Sequence, residues 1–537
     1  MTLNSPTLAS QGVDPQGVSP TSGSALAQAL HPLTARFARA VHQPATAQAE
    51  ALARILRANA DSAFGRAHGF EALHNVRAFQ AAVPIQPYAQ LASAIERIQA
   101  GEPGVLTTEP VLALEPTSGS TGANKLIPIT RAGLAEVQAA IHPWLADLMR
   151  RHPGLETTRW YTAISPLGRT VAAHPGGPPI GLADDAAWLG AAAGPFSARL
   201  AVPNSVGAGD VEACRLATAA HLLAAEDLGF ISVWSPTFLT LLLDAIERDA
   251  DALLRALAVR DPGRARVVSG ILGRHGGLAP RAVWPHLRVV SCWTEGASAP
   301  FAARLAERLA GVAVEAKGLW ATEGAVSVPL GAGPGAVLAV AGHFLEFLAA
   351  DDPAAPPCLA HELAQGGEYV PLLTTGGGLY RYPLPDRIRV VGVLGETPRV
   401  AFLGRQDGTS DLCGEKLAPR QVGQVWAQVA RDLGVAPTFV LLAPEAGPTA
   451  GYVLYLEGLE AQVVERCAAQ VEAGLAEGVH YAYCRALGQL APVRGVGVQD
   501  GLRRYERAGV DRGGRAGTLK APLLEARPGW WAAMVGP

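Results

Sequence analysis

Short apolar runs alternate with stretches of helical periodicity through residues 155–330 of this 537-residue chain. Runs of this length fit buried strands, and apolar residues that recur every three or four positions fit amphipathic helices. The pattern predicts strands at residues 160–164, 230–233, 288–292 and 312–316, and helices at residues 237–257 and 301–309. We therefore predict a layered α/β core whose ligands collect at the strand ends. Trp160, Trp234 and Trp293 fall near those ends, where they either line an apolar pocket or belong to the core.

Two changes in this pattern divide the chain. Residues 1–24 are mostly small and polar, so they cannot bury enough apolar surface to become ordered, and we predict a tail. Beyond the glycine-flanked stretch 404–408, the pattern predicts helices at residues 421–433 and 460–475 and strands at residues 438–442 and 452–456. The prediction is a large α/β N-terminal domain over residues 25–404 and a small α/β C-terminal domain over residues 405–537, joined by a flexible segment.

Composition narrows the class of protein. A hydrophobic content of 49% with 17% charged residues is typical of a soluble globular protein. The formal net charge of −3 is too small to indicate binding to nucleic acid or to an anionic membrane. The most apolar stretch, residues 337–350, is broken by His343 and Glu346, so it falls short of the about 18 apolar residues that a membrane helix needs.

Cysteine spacing and the N-terminus bear on the cellular compartment. The 6 cysteines are scattered with no CxxC pair, which is unlike a zinc site or a disulfide framework. We predict reduced, mostly buried thiols. The N-terminus has neither a charged region nor an apolar region of the signal-peptide kind, so we expect a cytoplasmic protein.

One loop carries most of the candidate chemistry. Residues 115–125 read Glu-Pro-Thr-Ser-Gly-Ser-Thr-Gly-Ala-Asn-Lys, between apolar runs at residues 111–114 and 126–129. Glycines allow backbone N–H groups to form a concave nest, hydroxyl groups add donors, and the lysine adds a mobile positive charge. The flanking runs favour a turn between two strands over an ordinary surface loop. We predict that these residues bind the phosphates of a nucleotide: Ser118, Gly119, Ser120, Thr121, Gly122 and Lys125.

This loop differs from a Walker P-loop, which ends in Gly-Lys-Ser/Thr and opens directly into a helix. Asn124 precedes the lysine here, and Pro128 opposes an immediate helix, which we predict to begin later with Thr130 as its N-cap. A phosphate loop between strands is the arrangement of adenylate-forming enzymes. The amino-acid sequence of the loop resembles that of the Gretchen Hagen family of that superfamily, the acyl acid–amido synthetases first known as auxin-responsive proteins.

A second motif follows the predicted strand at residues 312–316. Residues 318–324 read Gly-Leu-Trp-Ala-Thr-Glu-Gly, where the family has a Tyr-rich turn that ends in Ser/Thr-Glu. A carboxylate on a tight turn can coordinate Mg²⁺, which bridges ATP phosphates, and we assign this role to Glu323. Trp320 offers a flat face to adenine, and Thr322 belongs to the same adenosine site. Trp320 in place of tyrosine is a departure from the family pattern.

A third motif, residues 372–386, resembles the family stretch in which a threonine–glycine turn leads to Tyr-Arg-Tyr and then Gly-Asp. The two oxygens of a carboxylate match the ribose diol, so the resemblance implies that Asp386 binds the ribose and that Tyr380 contacts the adenosine. Pro385 stands where the family commonly has glycine. Arg405, in the following stretch 402–405, presents a fork of donors to ribose or phosphate.

A final motif near the C-terminus, Gly-Thr-Leu-Lys-Ala-Pro at residues 517–522, resembles the closing Lys-x-Pro segment of the family. The family lysine swings into the active site for adenylation, which assigns a catalytic role to Lys520 beside Lys125. A lone lysine near a terminus is otherwise usually just exposed. The motifs occur in the family's order from about residue 25 to residue 522.

The resemblance implies an adenylate-forming, luciferase-like fold with a mobile C-terminal domain, and an ATP- and Mg²⁺-dependent ligase. Its substrates would be a small carboxylic acid, activated as acyl-AMP, and an amine, which is an amino acid in the family. Two alternatives remain: an acyl-CoA ligase of the same superfamily, and a non-catalytic binding homologue, supported only by Trp320 and Pro385. The residues that bind the acid, the identity of both substrates and the oligomeric state stay open.

Overall fold

The computed structural model describes residues 24–117, 125–163, 175–182, 185–203, 206, 211–406, 408–511 and 521–536. Of the predicted tail, residues 1–24, only Ser24 lies within these ranges. Its side chain accepts a hydrogen bond from the backbone N–H of Ala27 and so caps the first helix. The N-terminal helices are α1 (Ala25–Ala40), α2 (Pro44–Ala58), α3 (Ala63–Ala67), α4 (Val76–Ala82) and α5 (Tyr88–Gln99).

The strands on either side of the predicted phosphate loop form an antiparallel pair, β1 (Ala113–Pro116) and β2 (Leu126–Ile129). The N–H of Thr117 donates to the carbonyl of Lys125 at 2.8 Å and extends this ladder by one step. The predicted strands on both sides of the loop are therefore confirmed, whereas residues 118–124 lie outside the described residues. The helix that follows, α6 (Arg131–Arg151), begins as predicted, because the Thr130 hydroxyl accepts from Gly133 N–H at 3.1 Å.

A four-stranded parallel sheet lies within residues 159–315. Its strands lie in the order β3 (Arg159–Thr162), β4 (Leu228–Ser232), β5 (Val289–Ser291) and β6 (Ala313–Glu315), and each overlaps its predicted range. The helix predicted at residues 237–257 is two helices, because Asp249 leaves the helical conformation between them. The helices of this region are α7 (Ala193–Ser197), α8 (Val211–Ala224), α9 (Pro236–Arg248), α10 (Ala250–Arg260), α11 (Pro262–His275), α12 (Pro280–Val283) and α13 (Ala299–Arg308). The predicted α/β class is confirmed.

An antiparallel sheet that the sequence pattern did not predict follows. Its strands, in the order in which they pair, are β12, β11, β13, β15, β16, β10 and β9, with β14 beside β13. A separate hairpin, β7 and β8, precedes it. The bounds are β7 (Trp320–Ala321), β8 (Gly324–Ala325), β9 (Ser327–Val328), β10 (Ala336–Leu338), β11 (Phe344–Ala349), β12 (Cys358–Leu359), β13 (Glu368–Thr374), β14 (Tyr382–Pro383), β15 (Asp386–Leu394) and β16 (Thr397–Arg405). The apolar stretch 337–350 thus contributes two strands, and none of the helices that the structure describes could span a bilayer.

The C-terminal part has the predicted βα elements and a further strand. β18 pairs antiparallel with β17 and parallel with β19. The elements are α14 (Pro419–Leu433), β17 (Phe439–Ala446), β18 (Ala450–Glu457), α15 (Ala461–Ala476), α16 (Val479–Ala486), β19 (Arg494–Val498), α17 (Gly501–Asp511) and α18 (Trp531–Val535). The 6 cysteines are free thiols, and all except Cys358 are buried, as predicted.

Candidate active site

Lys125 lies at the end of the phosphate loop, over the ring of Tyr88. Its ammonium nitrogen is 5.6 Å from the ring centre, within the range of a cation–π contact. The Tyr88 hydroxyl accepts a hydrogen bond from the N–H of Leu126 at 2.9 Å, and burial raises its pKa. At the start of the loop, the hydroxyl of Thr117 is buried without a hydrogen-bond partner among the described residues. The predicted phosphate-binding residues Ser118, Gly119, Ser120, Thr121 and Gly122 lie outside the described residues.

Thr322 and Glu323 form the turn between β7 and β8, and both are partly buried. The phenol of Tyr382 lies beside the Glu323 carboxylate. Burial raises the pKa of Tyr382, and the negative charge of Glu323 raises it further. Tyr88 also raises the pKa of Tyr382, and the Arg405 guanidinium lowers it, so both are neighbours of this phenol. Tyr382 therefore lies close to Glu323 on the acidic turn, to Tyr88 and to Arg405 at the end of β16.

Asp386 and Arg405 are directly opposite each other on β15 and β16. Lys416, which has a positive φ of 45°, places its ammonium 3.1 Å from the Asp411 carboxylate. Burial lowers the pKa of Lys416, but the carboxylates of Asp411 and Asp386 outweigh burial and the Arg405 charge, so the net shift is upward. Two cations and two carboxylates thus meet at the predicted joint between the domains.

The glycine turn of the third motif is held by Glu136, a buried residue of α6. One oxygen of the Glu136 carboxylate accepts from Gly376 N–H at 2.9 Å and lies 2.8 Å from His343 Nδ1. Its other oxygen accepts from Arg54 at 3.2 Å. A Cβ on Gly376 would lie 2.8 Å from the Cβ of Ala132, so this close approach requires glycine. The third motif is thereby fixed to the helix that follows the phosphate loop.

Tyr380 does not face the site. It is 0% exposed, its hydroxyl donates to the carbonyl of Leu106 at 2.6 Å, and its ring stacks on Phe64. This burial contradicts the predicted contact of Tyr380 with adenine or ribose. The neighbouring Arg381 is buried as well and binds the carboxylate of Glu346, which locks this stretch onto β11.

An apolar cavity of about 150 Å³ lies at the carboxyl ends of β3 and β4. Trp320 lines its wall, and the indole N–H of Trp320 donates to the carbonyl of Lys317 at 2.6 Å. Of the tryptophans that the sequence places near strand ends, Trp234 lines the cavity and Trp160 lies in the core. The lining residues are Ile141, Trp144, Leu145, Thr162, Leu189, Phe196, Phe230, Ser232, Trp234, Lys317 and Trp320.

Lys317 is the charged residue of this cavity wall among the described residues. It follows β6, is 6% exposed, and its ammonium donates to the Ser232 hydroxyl at 2.6 Å. The ammonium lies 5.2 Å from the ring centre of Trp144 and 4.8 Å from that of Trp234. Burial lowers the pKa of Lys317 to about 7.

The structure thus brings together Lys125, Glu323, Asp386 and Arg405, and places Trp320 at the adjoining cavity; Lys520 lies outside the described residues. Sequence reasoning missed several residues here. Lys317 had a usable signal, since it directly follows a predicted strand, where α/β sheets gather ligands. Tyr382 and Lys416 also had one, since Tyr382 belongs to the Tyr-Arg-Tyr stretch and Lys416 to the Gly-Glu-Lys-Leu stretch at residues 414–417 after the predicted joint. Tyr88 had no signal that separates it from ordinary core residues.

Comparisons with known proteins identify the family of this chain. Residues 33–314 match the GH3 family N-terminal domain, residues 336–405 the central domain and residues 421–528 the C-terminal domain. A probable indole-3-acetic acid-amido synthetase GH3.12 of Oryza sativa subsp. japonica is 25% identical over 589 residues, which cover 92% of this chain and 93% of that protein. A human GH3 domain-containing protein is 30% identical over 215 residues, 34% of this chain and 38% of that protein.

The solved structure of AtGH3.15 acyl acid amido synthetase in complex with 2,4-DB has the same fold, with a TM-score of 0.61 at 17% identity. The match covers 92% of this chain and 94% of that one. The three family domains together cover most of the chain. The family is the one that the sequence motifs predicted. The chain belongs to the GH3 family.

Proposed function

We propose that this protein is an ATP-dependent acyl acid–amido synthetase. It activates a small carboxylic acid as acyl-AMP with release of pyrophosphate, and then transfers the acyl group to the amine of an amino acid. The observation that carries this proposal is the grouping of Lys125, Glu323, Asp386 and Arg405, which come from distant parts of the chain, around Tyr88 and Tyr382. Family membership and the names of the relatives support the same reaction.

The charges have complementary roles toward a nucleotide. Lys125 and the loop before it hold the phosphates, Asp386 holds the ribose diol, and Arg405 adds a fork of donors beside it. Glu323 fits a magnesium ion, because it is a partly exposed carboxylate that makes no ion pair among the described residues. When bound, Mg²⁺ neutralises the charge of the ATP phosphates. Lys520 is proposed to approach the α-phosphate and the carboxylate during adenylation.

The cavity beside Trp320 is the proposed site of the acid. A cavity of about 150 Å³ lined by apolar side chains holds a single aromatic ring in other proteins. Trp320 belongs to the hairpin whose turn carries Glu323, so an acid in the cavity lies next to the nucleotide site. We therefore assign Trp320 to the acid and away from adenine.

The chemistry needs positioning and charge neutralisation, with no covalent nucleophile from the protein. A carboxylate oxygen attacks the α-phosphorus, and the bond to pyrophosphate breaks. The amine then attacks the acyl carbon, and AMP leaves. Both steps use substrates of the cytoplasm, where we expect the protein to act.

The test is pyrophosphate release from purified protein with MgATP and a panel of small aromatic and branched acids, with and without a mixture of amino acids. We expect acid-dependent pyrophosphate release, and mass spectrometry should find an amide only when amino acids are present. A thioester formed with coenzyme A, and no amide, would favour an acyl-CoA ligase. If none of the acids causes pyrophosphate release, the proposal is contradicted.

A further inference from the structure

The ammonium of Lys317 lies in an apolar wall and has few hydrogen-bond partners among the described residues. Its hydrogen bond to Ser232 uses one of three donor hydrogens, and the rings of Trp144 and Trp234 lie on either side. An ammonium in such surroundings is unfavourable unless it is paired. The described residues supply no carboxylate for it.

The ring of Trp144 lies on the same wall. Its centre is 5.2 Å from the Lys317 ammonium, so the ring covers one side of the charge. The indole N–H of Trp144 is itself buried and closed off from the cavity. The cavity therefore offers the Lys317 ammonium as a hydrogen-bond donor in an otherwise apolar surface.

The Lys317 ammonium and the proposed nucleotide site are carried by different elements. Trp320 forms the wall that continues into the Glu323 turn, where the nucleotide is proposed to bind. The Lys317 ammonium is instead held at Ser232 on β4, 4.8 Å from the ring centre of the exposed Trp234. An acid whose reacting carboxyl group faces Glu323 would present its other end to Lys317.

We infer that the acid carries a second electronegative group, a carboxylate or a hydroxyl, opposite the reacting carboxyl, and that Lys317 recognises it. The substrate class is a single-ring or similarly small acid with such a group. This inference rests on the proposed function, because it names the substrate of the same site. Lys317 is a specificity-determining residue, and the adenylation chemistry itself remains with the nucleotide site.

The test compares benzoate, 4-hydroxybenzoate and terephthalate, which share one ring and differ at the distal position. Kinetics of acid-dependent pyrophosphate release are measured for wild type, Lys317→Met and Ser232→Ala. In wild type we expect a kcat/KM that favours an acid with the distal group by about tenfold or more, the size of a charge-assisted hydrogen bond. Lys317→Met should abolish this preference, through a higher KM for 4-hydroxybenzoate and terephthalate.

Binding without ATP gives a second measurement. Quenching of the tryptophan fluorescence by each acid reports occupation of a cavity walled by Trp144, Trp234 and Trp320, whether or not the protein is catalytic. Ser232→Ala keeps the ammonium and should retain the preference, and it remains available if Lys317→Met does not fold.

The outcomes distinguish the two proposals. If wild type activates benzoate without preferring a distal group, or if Lys317→Met slows all three acids equally, the inference is overturned while the proposed function stands. An equal loss would place Lys317 at the reacting carboxyl group. If wild type binds the acids with the expected preference but releases no pyrophosphate, the proposed function fails and the recognition by Lys317 holds.

Discussion

The carboxylate of Glu136 accepts a hydrogen bond from the backbone N–H of Gly376 at 2.9 Å, although the two residues are 240 positions apart. The same carboxylate contacts His343 and Arg54. It therefore connects α6, which follows the phosphate loop, with the glycine turn before Asp386. This connection sets the distance between the two parts of the proposed nucleotide site.

Glu136→Ala should destabilise the protein strongly. It leaves His343, the N–H of Gly376 and Arg54 without their common acceptor, and breaking a buried pair in this way costs about 3–5 kcal/mol. Chemical denaturation would measure the change in the free energy of unfolding. The matched control is Glu465→Ala, which removes an exposed glutamate. A similar effect of both substitutions would contradict the role given to Glu136.

Glu323→Gln should weaken the use of Mg²⁺. A neutral amide is a poorer ligand for a hard cation than a carboxylate, so the Mg²⁺ concentration for half-maximal activity should rise by about tenfold or more. Titration of acid-dependent pyrophosphate release with Mg²⁺ would show this, with Glu465→Gln as control. If the titration curve is unchanged, Glu323 is only a turn residue.

Lys520→Ala should act on one half-reaction. A lysine at the α-phosphate is needed when negative charge develops there during adenylation, so formation of acyl-AMP should fall by about a hundredfold or more. Transfer from supplied acyl-AMP to an amino acid should stay nearly intact. Single-turnover measurements of both steps test this, and an equal loss in both would indicate a structural role.

Gly408→Pro should restrict the proposed rotation of the C-terminal domain. Gly408 has a φ of 70°, whereas proline fixes φ near −65°, so the variant cannot adopt this backbone conformation. We expect one half-reaction to persist while overall turnover falls. Circular dichroism would first establish that the variant is folded. Normal turnover in a folded variant would place the pivot elsewhere.

Lys317→Met should stabilise the protein most at low pH. The pKa of Lys317 is about 7 in the folded protein, whereas an unfolded lysine titrates near 10.4. Between these values the unfolded state binds more protons, so the penalty of burying the ammonium is full below pH 7 and shrinks as the pH rises. The gain should be a few kcal/mol at pH 6 and smaller at pH 9.

The measurement is the difference in free energy of unfolding between variant and wild type at each pH. Burial also raises the pKa of the neighbouring thiol of Cys292, to about 12, but this thiol is present in both proteins and its contribution largely cancels. A gain that does not depend on pH would show that Lys317 stays charged throughout this range, as a paired ammonium would.

The strands of the parallel sheet could be predicted from the sequence because each contains a short apolar run. The strands β3 to β6 lie in a parallel sheet and read as short apolar runs. The antiparallel sheet escaped prediction partly because buried charges interrupt its pattern, as Glu346 on β11 does by pairing with Arg381. Nothing local shows that such a carboxylate will be buried with a partner 35 positions away.

In the candidate site, too, the sequence identified segments but not which of their side chains face the ligand. The Tyr-Arg-Tyr stretch was found, yet Tyr380 turns into the core against Phe64, whereas Tyr382 meets Glu323. A motif identifies a segment, and only the packing around it decides which side chain reaches a ligand. Lys317 was missed for a related reason, since burial of a lysine depends on the tryptophans that other elements place around it.

The pairing of Asp386 with Arg405 has a consequence for the timing of the reaction. Arg405 ends β16, and Lys416, which lies beyond the proposed joint, adds a second positive charge near Asp386. A rotation that starts just after Arg405 would carry Lys416 away and leave the arginine in place. The Asp386 carboxylate, which is proposed to bind the ribose, would then be less neutralised in one pose than in the other. The two poses would therefore differ in their affinity for the adenosine moiety, so the rotation would change the affinity for AMP between the two half-reactions.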